Sequence, residues 1–183
     1  MTVGITPDYI IGDFDSCQKP KNLSPDCIVI ELNRQKDVSD LEYAVGFFLN
    51  NKKFKDFEFV IFNNLQGRIH HILSSLYLIT KDNSISFASS KQLVYLITSG
   101  FSKELPLDTT VSLIPISKEV QGVKIEGFEY PLDNETLYRA KARGLSNVSI
   151  AKKVKVTIAK GELLLVINLK RSSYGNDTRR EKR

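Results

Sequence analysis

Two carboxylates one residue apart, a third acid farther along and a lone arginine beside two imidazoles carry the chemistry legible in this chain. In Pro7-Asp8-Tyr9-Ile10-Ile11-Gly12-Asp13-Phe14-Asp15-Ser16, residues 9–11 read as a short buried strand, and Gly12 releases the chain into a turn bearing Asp13 and Asp15. Carboxylates just past a strand end can face the crevice where an α/β sheet binds its ligand. Their hard oxygens suit Mg²⁺, which takes one or two protein carboxylates and leaves its other positions to water and phosphate. The same two residues also serve as a solvated turn that hydrogen-bonds its own backbone. Asp40 opens a helical pattern, where it either complements the helix dipole or adds a third acid to the Asp13 and Asp15 turn. Arg68 opens a second helical pattern and is followed by His70 and His71, the only histidines. Adjacent helical residues point about 100° apart, so the His pair is a poor bidentate metal site, whereas free N–H groups at a helix start attract phosphate. The polar run Arg143-Gly144-Leu145-Ser146-Asn147 reads as a hairpin turn or as hydrogen-bonding groups for a polar heterocycle.

The elements that must position these residues change in kind along the chain. Residues 27–30 read as a second buried strand. Ser39 followed by Glu42 fits a capping box, and Leu41, Ala44, Val45, Phe48 and Leu49 then form one apolar helix face. Residues 57–62 read as a third strand, the 63–67 stretch as a turn, and Ile69, Ile72, Leu73 and Leu76 as a second amphipathic helix. Shorter strands follow at 85–88 and 93–98. Strands alternating with helices predict a parallel α/β sheet. From residue 109 the texture becomes short strands at 110–116, 122–125, 127–130, 153–158 and 163–168, separated by turns at Gly122, Gly127, 131–134 and 160–162. That spacing predicts a β-sandwich or barrel. The expected organisation is an N-terminal parallel α/β domain over 1–103, joined within 101–108 to a C-terminal β-sandwich domain over 104–169, with a basic tail over 170–183.

At 183 residues, with 42% hydrophobic and 26% charged side chains, the chain has length and composition to bury a core. The formal charge of +5 suggests nucleic acid until it is located. Residues 170–183 hold six basic and two acidic side chains, so the body is nearly neutral. A disordered, solvated tail accounts for the charge, and no nucleic-acid partner is expected beyond nonspecific contact by that tail. Cys17 and Cys27 have neither zinc-ligand spacing nor a disulfide framework. No secretion signal or membrane-length apolar run is present, and a cytoplasmic protein is expected.

The motifs together resemble the thiamine pyrophosphokinase family. The matching runs are the segment 7–16, Lys36-Asp37-Val38-Ser39-Asp40-Leu41-Glu42-Tyr43-Ala44, Gly67-Arg68-Ile69-His70-His71, Ser112-Leu113-Ile114-Pro115, Gly127-Phe128-Glu129-Tyr130-Pro131-Leu132, the segment 143–147 and Gly161-Glu162-Leu163-Leu164-Leu165. They stand in the family's order. The resemblance implies transfer of pyrophosphate from ATP to the hydroxyl of thiamine, giving thiamine diphosphate and AMP, in a homodimer whose sites lie between subunits. It implies Asp13, Asp15 and Asp40 as catalytic residues and ligands of Mg²⁺. Lys36, Arg68 and His71 are implied at the ATP phosphates, and Tyr130, Ser146 and Asn147 at thiamine.

The sequence departs from the family pattern in two places. The family's leading strand and Asp-Gly-Gly nucleotide turn do not precede the first motif, which leaves open a start upstream of Met1 or a degenerate relative, and predicts an unstable monomer. In the phosphate motif, Gln66 and His70 stand where the family usually has Gly and Asp. A Cβ at a close backbone approach can block a phosphate, and the imidazole reverses the local electrostatics. Two alternatives therefore accompany the enzyme reading: a non-catalytic thiamine or thiamine diphosphate binding protein, and a pyrophosphokinase acting on another alcohol such as a hydroxymethylpterin.

Overall fold

The computed structural model describes residues 5–15, 18–20, 22–62 and 68–169. The chain forms two compact units that meet in sequence between Phe57 and Glu58. The phosphate-motif residues Gln66 and Gly67, Cys17 and the basic tail lie outside the described residues.

In the first unit, β1 (Tyr9–Gly12) and β2 (Ile28–Glu31) pair in parallel, with Tyr9 opposite Ile28 and Gly12 opposite Glu31. Helix α1 (Asp40–Leu49) starts where its sequence predicts. The Glu42 backbone N–H donates to Ser39 Oγ at 3.1 Å, satisfying one donor of the first turn, and Asp40 and Glu42 place negative charge at the positive end of the helix dipole. After α1 the Lys53 N–H donates to the Asn51 side chain and a 3₁₀ turn spans Lys52–Phe54. Phe54 is buried there, and the Tyr9 ring meets Phe48 edge-on at 5.3 Å and Phe54 at 6.0 Å. These edge-to-face contacts, each contributing about 0.5–1.5 kcal/mol beyond burial, hold β1 against α1 and so fix the turn that follows β1.

The second unit holds β3 (Phe59–Phe62), α2 (Ile69–Tyr77), a 3₁₀ turn at Leu78–Lys81, β4 (Ile85–Ala88), β5 (Gln92–Ile97), β6 (Gly100–Glu104), β7 (Thr110–Pro115), β8 (Glu119–Glu126), β9 (Leu132–Tyr138), β10 (Asn147–Val148), β11 (Lys153–Thr157) and β12 (Leu163–Asn168). Six strands form one sheet in the order β10-β7-β12-β5-β4-β3, and four form another in the order β6-β11-β8-β9. Alternation drives the sandwich. Val111 and Leu113 of β7, Val154 and Val156 of β11, and Leu163, Leu165 and Ile167 of β12 turn into one shared core with Val120, Val123 and Leu137. On the other face of the six-stranded sheet Phe87 is fully buried, as is Ile79 of the 3₁₀ turn that packs on β4, with Leu78 buried beside it. At the outer edge, Val60 and Phe62 of β3 are exposed.

The α/β plus β-sandwich class is what the chain adopts, with differences in detail. Among the described residues only β1–β2 and β3–β4 are parallel. The strand predicted at 93–98 pairs antiparallel with β4 on one edge and with β12 on the other, so the sheet is mixed and takes strands from both sides of residue 103. The predicted link at 101–108 contains edge strand β6, and the two strands expected at 122–125 and 127–130 are one strand, β8, followed by a bridge from Phe128 to Ser149. The turn expected at 131–134 begins β9 instead. Its register against β8 shifts twice, which breaks the simple alternation that marks a strand in sequence.

Candidate active site

In the first unit the acidic turn is built around one ammonium. Asp13 sits immediately past β1, Asp40 is the first residue of α1, and Lys36 lies in the loop that leads from β2 to α1. Lys36 Nζ donates to Asp13 Oδ2 at 2.5 Å and stands 2.8 Å from Asp40 Oδ1. The Lys36 and Asp13 side chains are only 16% and 13% exposed, so this pair is shielded, whereas Asp40 is 44% exposed. Gly12 makes room for it: a Cβ there would lie 3.2 Å from Asp40 Oδ2. The Lys36 hydrogen bond, and then the Asp15 N–H donated to Asp13 Oδ1 at 3.2 Å, hold the Asp13 carboxyl below its ordinary range. Asp13 and Asp40 in turn raise Lys36. Both charges therefore persist across neutral pH.

Of the three predicted acids, the structure brings Asp13 and Asp40 to a common cation, while Asp15 is exposed and contributes its backbone N–H to the turn. Among the described residues no three His, Cys, Asp or Glu side chains converge closely enough to hold a metal ion. The donor chemistry still suits a hard cation. Two carboxylates from different elements already point at one positive charge, and divalent magnesium commonly takes no more than two. Spacing in sequence carried part of this signal, since Lys36 and Asp40 stand four apart. The contact from Lys36 back to Asp13, across twenty-three positions, had no local signal.

In the second unit Arg68 is the N-cap of α2, as expected, and its side chain makes no capping bond. The carbonyl of Arg68 accepts from the His71 and Ile72 N–H groups. His70 and His71 lie side by side with ring centroids 4.6 Å apart. The neighbouring Arg68 charge, then desolvation and His70, lower the His71 pKa, so its imidazole is neutral at pH 7.

The second unit also contains a cleft of about 480 Å³ lined by Tyr130, Pro131, Leu132, Arg143, Leu145 and Asn147, among others. Tyr130 stands exposed at this cleft. Asn147, 5% exposed, is a clamp: its Oδ1 accepts from the Tyr130 and Val148 N–H groups at 3.1 and 2.9 Å, and its Nδ2 donates to the Tyr130 carbonyl at 2.7 Å. Ser146 adopts a left-handed φ of 55°, and its N–H donates to Ser112 Oγ at 3.0 Å. Ser146 itself does not line the cleft. Gly144, at φ 95°, is needed because a Cβ would come within 3.2 Å of the Leu113 carbonyl. An ion pair between Arg143 and Glu135 borders the same loop and was not anticipated from sequence.

Comparison with known proteins agrees with these motifs. Residues 1–88 match the thiamin pyrophosphokinase catalytic domain, and residues 100–163 match the thiamin pyrophosphokinase vitamin B1 binding domain. Thiamine pyrophosphokinase of Bacillus subtilis (strain 168) is 26% identical over 176 residues, covering 91% of this chain and 80% of the relative. The crystal structure of thiamine pyrophosphokinase from Bacillus subtilis superposes with a TM-score of 0.80 at 24% identity, covering 91% of this chain and 81% of that one. A thiamin pyrophosphokinase family protein from Enterococcus faecalis gives a TM-score of 0.76 at 18% identity, covering 91% and 82%. At these identities the superpositions establish the shared fold, and the two consecutive domain matches establish more: the chain belongs to the thiamine pyrophosphokinase family.

Proposed function

We propose that this chain transfers the pyrophosphoryl group of ATP to the hydroxyl of thiamine, giving thiamine diphosphate and AMP. The observation that carries the reading is the convergence of Asp13 and Asp40 on one cation beside the Gly12 turn. In the reaction the thiamine hydroxyl oxygen forms a bond to the β-phosphorus of ATP and loses its proton, while the α–β bridging bond breaks and its electron pair leaves with AMP. Such transfers depend on positioning and on neutralising charge more than on covalent chemistry by the protein.

Asp13 and Asp40, with Asp15, would hold Mg²⁺, which when bound supplies charge neutralisation on the triphosphate. Lys36 and Arg68 contribute cations to phosphate oxygens, Arg68 through its planar fork of donors. Neutral His71 offers a hydrogen bond rather than a charge. Tyr130 lines the thiamine cleft and Asn147 holds it there, with Ser146 in the same loop. In this reading 1–103 is the catalytic division and 104–169 the thiamine-binding one, and the protein acts in the cytoplasm as a homodimer.

The test is AMP production from ATP and thiamine with Mg²⁺, comparing the chain with Asp13→Asn and Asp40→Asn. Thiamine-dependent AMP should fall by roughly 100-fold or more in each variant, the scale on which a preorganised electrostatic group is felt. A folded protein that binds thiamine but makes no AMP would instead be a binding protein. AMP formed with a hydroxymethylpterin and not with thiamine would reassign the substrate.

A further inference from the structure

We propose that Lys36 is a tethered counter-ion that holds the place of the divalent cation between Asp13 and Asp40 and gives that place up when the cation binds. The inference rests on the function proposed above. One ammonium contacts two carboxylates drawn from different elements, at 2.5 Å from Asp13 and 2.8 Å from Asp40. Without a cation between them, two carboxylates that share one ammonium would repel. Lys36 offsets that repulsion, and its shielded position beside Asp13 makes the interaction stronger than an ordinary surface pair.

The same geometry makes the ammonium a competitor. Magnesium binds carboxylate oxygens at about 2.0–2.1 Å, so an ion between Asp13 and Asp40 would draw them inward and could not share the space with Nζ. Release is mechanically easy. Lys36 lies in a loop between β2 and α1, and its ammonium rides on a flexible four-carbon stem, so it can leave without moving a strand or the helix. The freed charge is then available to the anion that arrives with the metal. Lys36 is thus a positioning residue that keeps the acids preorganised and tunes the cost of loading the site.

Two measurements on the full chain test this with Mg²⁺ alone, without ATP or thiamine. In calorimetry, Lys36→Gln should bind Mg²⁺ about tenfold more tightly than the unaltered protein, a coupling of the size typical for competing states, while Lys36→Arg should stay close to it. In the unaltered protein, Mg²⁺ should increase amine labelling at Lys36 several-fold, read by peptide mass spectrometry, with Lys52 and Lys53 as unchanged controls. The labelling needs no variant and so does not depend on Lys36→Gln folding. Weaker or unchanged Mg²⁺ binding in a folded Lys36→Gln protein, labelling indifferent to Mg²⁺, or no Mg²⁺ binding to either protein would overturn the proposal. AMP formation that persists alongside such a result would leave the proposed function intact, whereas Mg²⁺-dependent labelling without AMP would uphold the exchange and remove the catalytic reading.

Discussion

Asn147 illustrates how a polar side chain can shape a cleft while most of its hydrogen bonds go elsewhere. Its amide grips the backbone of Tyr130 on both sides, so the residue that faces the cleft is held by one that is nearly buried. Asn147→Ala should lower stability by about 1–3 kcal/mol, since it strands the Tyr130 N–H and carbonyl partners, and thermal unfolding with and without thiamine would measure both the loss and any change in binding. His71 offers a second check. Because the Arg68 charge is the largest cause of its lowered pKa, Arg68→Gln should move the His71 midpoint upward, toward the ordinary imidazole value; desolvation and His70 should keep it from reaching that value. An NMR pH titration reads this directly, and an unmoved midpoint would remove Arg68 as the cause. The Asp13 turn and the Arg68 helix start were legible in the sequence because each depends on near neighbours. The Asn147 clamp joins residues seventeen apart and had no such signature.

Helix α1 is the element whose sequence and structure agree most closely. The Ser39 cap and the acidic first turn are both local, and they set the position of Asp40 at the site. Ser39→Ala should cost about 1 kcal/mol of stability through the lost cap. It should also impair the proposed Mg²⁺-dependent AMP formation through displacement of Asp40, which kinetics at saturating ATP would show. Strand β9 marks the opposite case. Its shifted register against β8 hides it behind residues of turn type, Pro131, Asp133 and Asn134, and it forms because Leu132 and Leu137 are buried in the sandwich core. Here burial overrides local preference.

At the scale of the molecule, composition and element order indicated an α/β part followed by a β part, but not that β5 would join them in one sheet. Strand partners are chosen by nonlocal pairing, to which sequence order is a weak guide. Strand β12 is the clearest instance: it lies between β5 and β7, with six residue pairs registered to the first and five to the second. A chain ending at Lys160 should therefore lose the cooperative unfolding transition of the second unit and bind ANS, whereas retention of a sharp transition would show β12 to be peripheral. The placement of β12 also sets an order of events during synthesis. A ribosome delivers residues 163–168 after every other strand of the sheets, so β5 and β7 emerge with the strand that belongs between them still unmade. Closure of the sandwich must wait for nearly the whole unit, and its apolar strands pass through a period of dependence on whatever shields nascent chains in the cell.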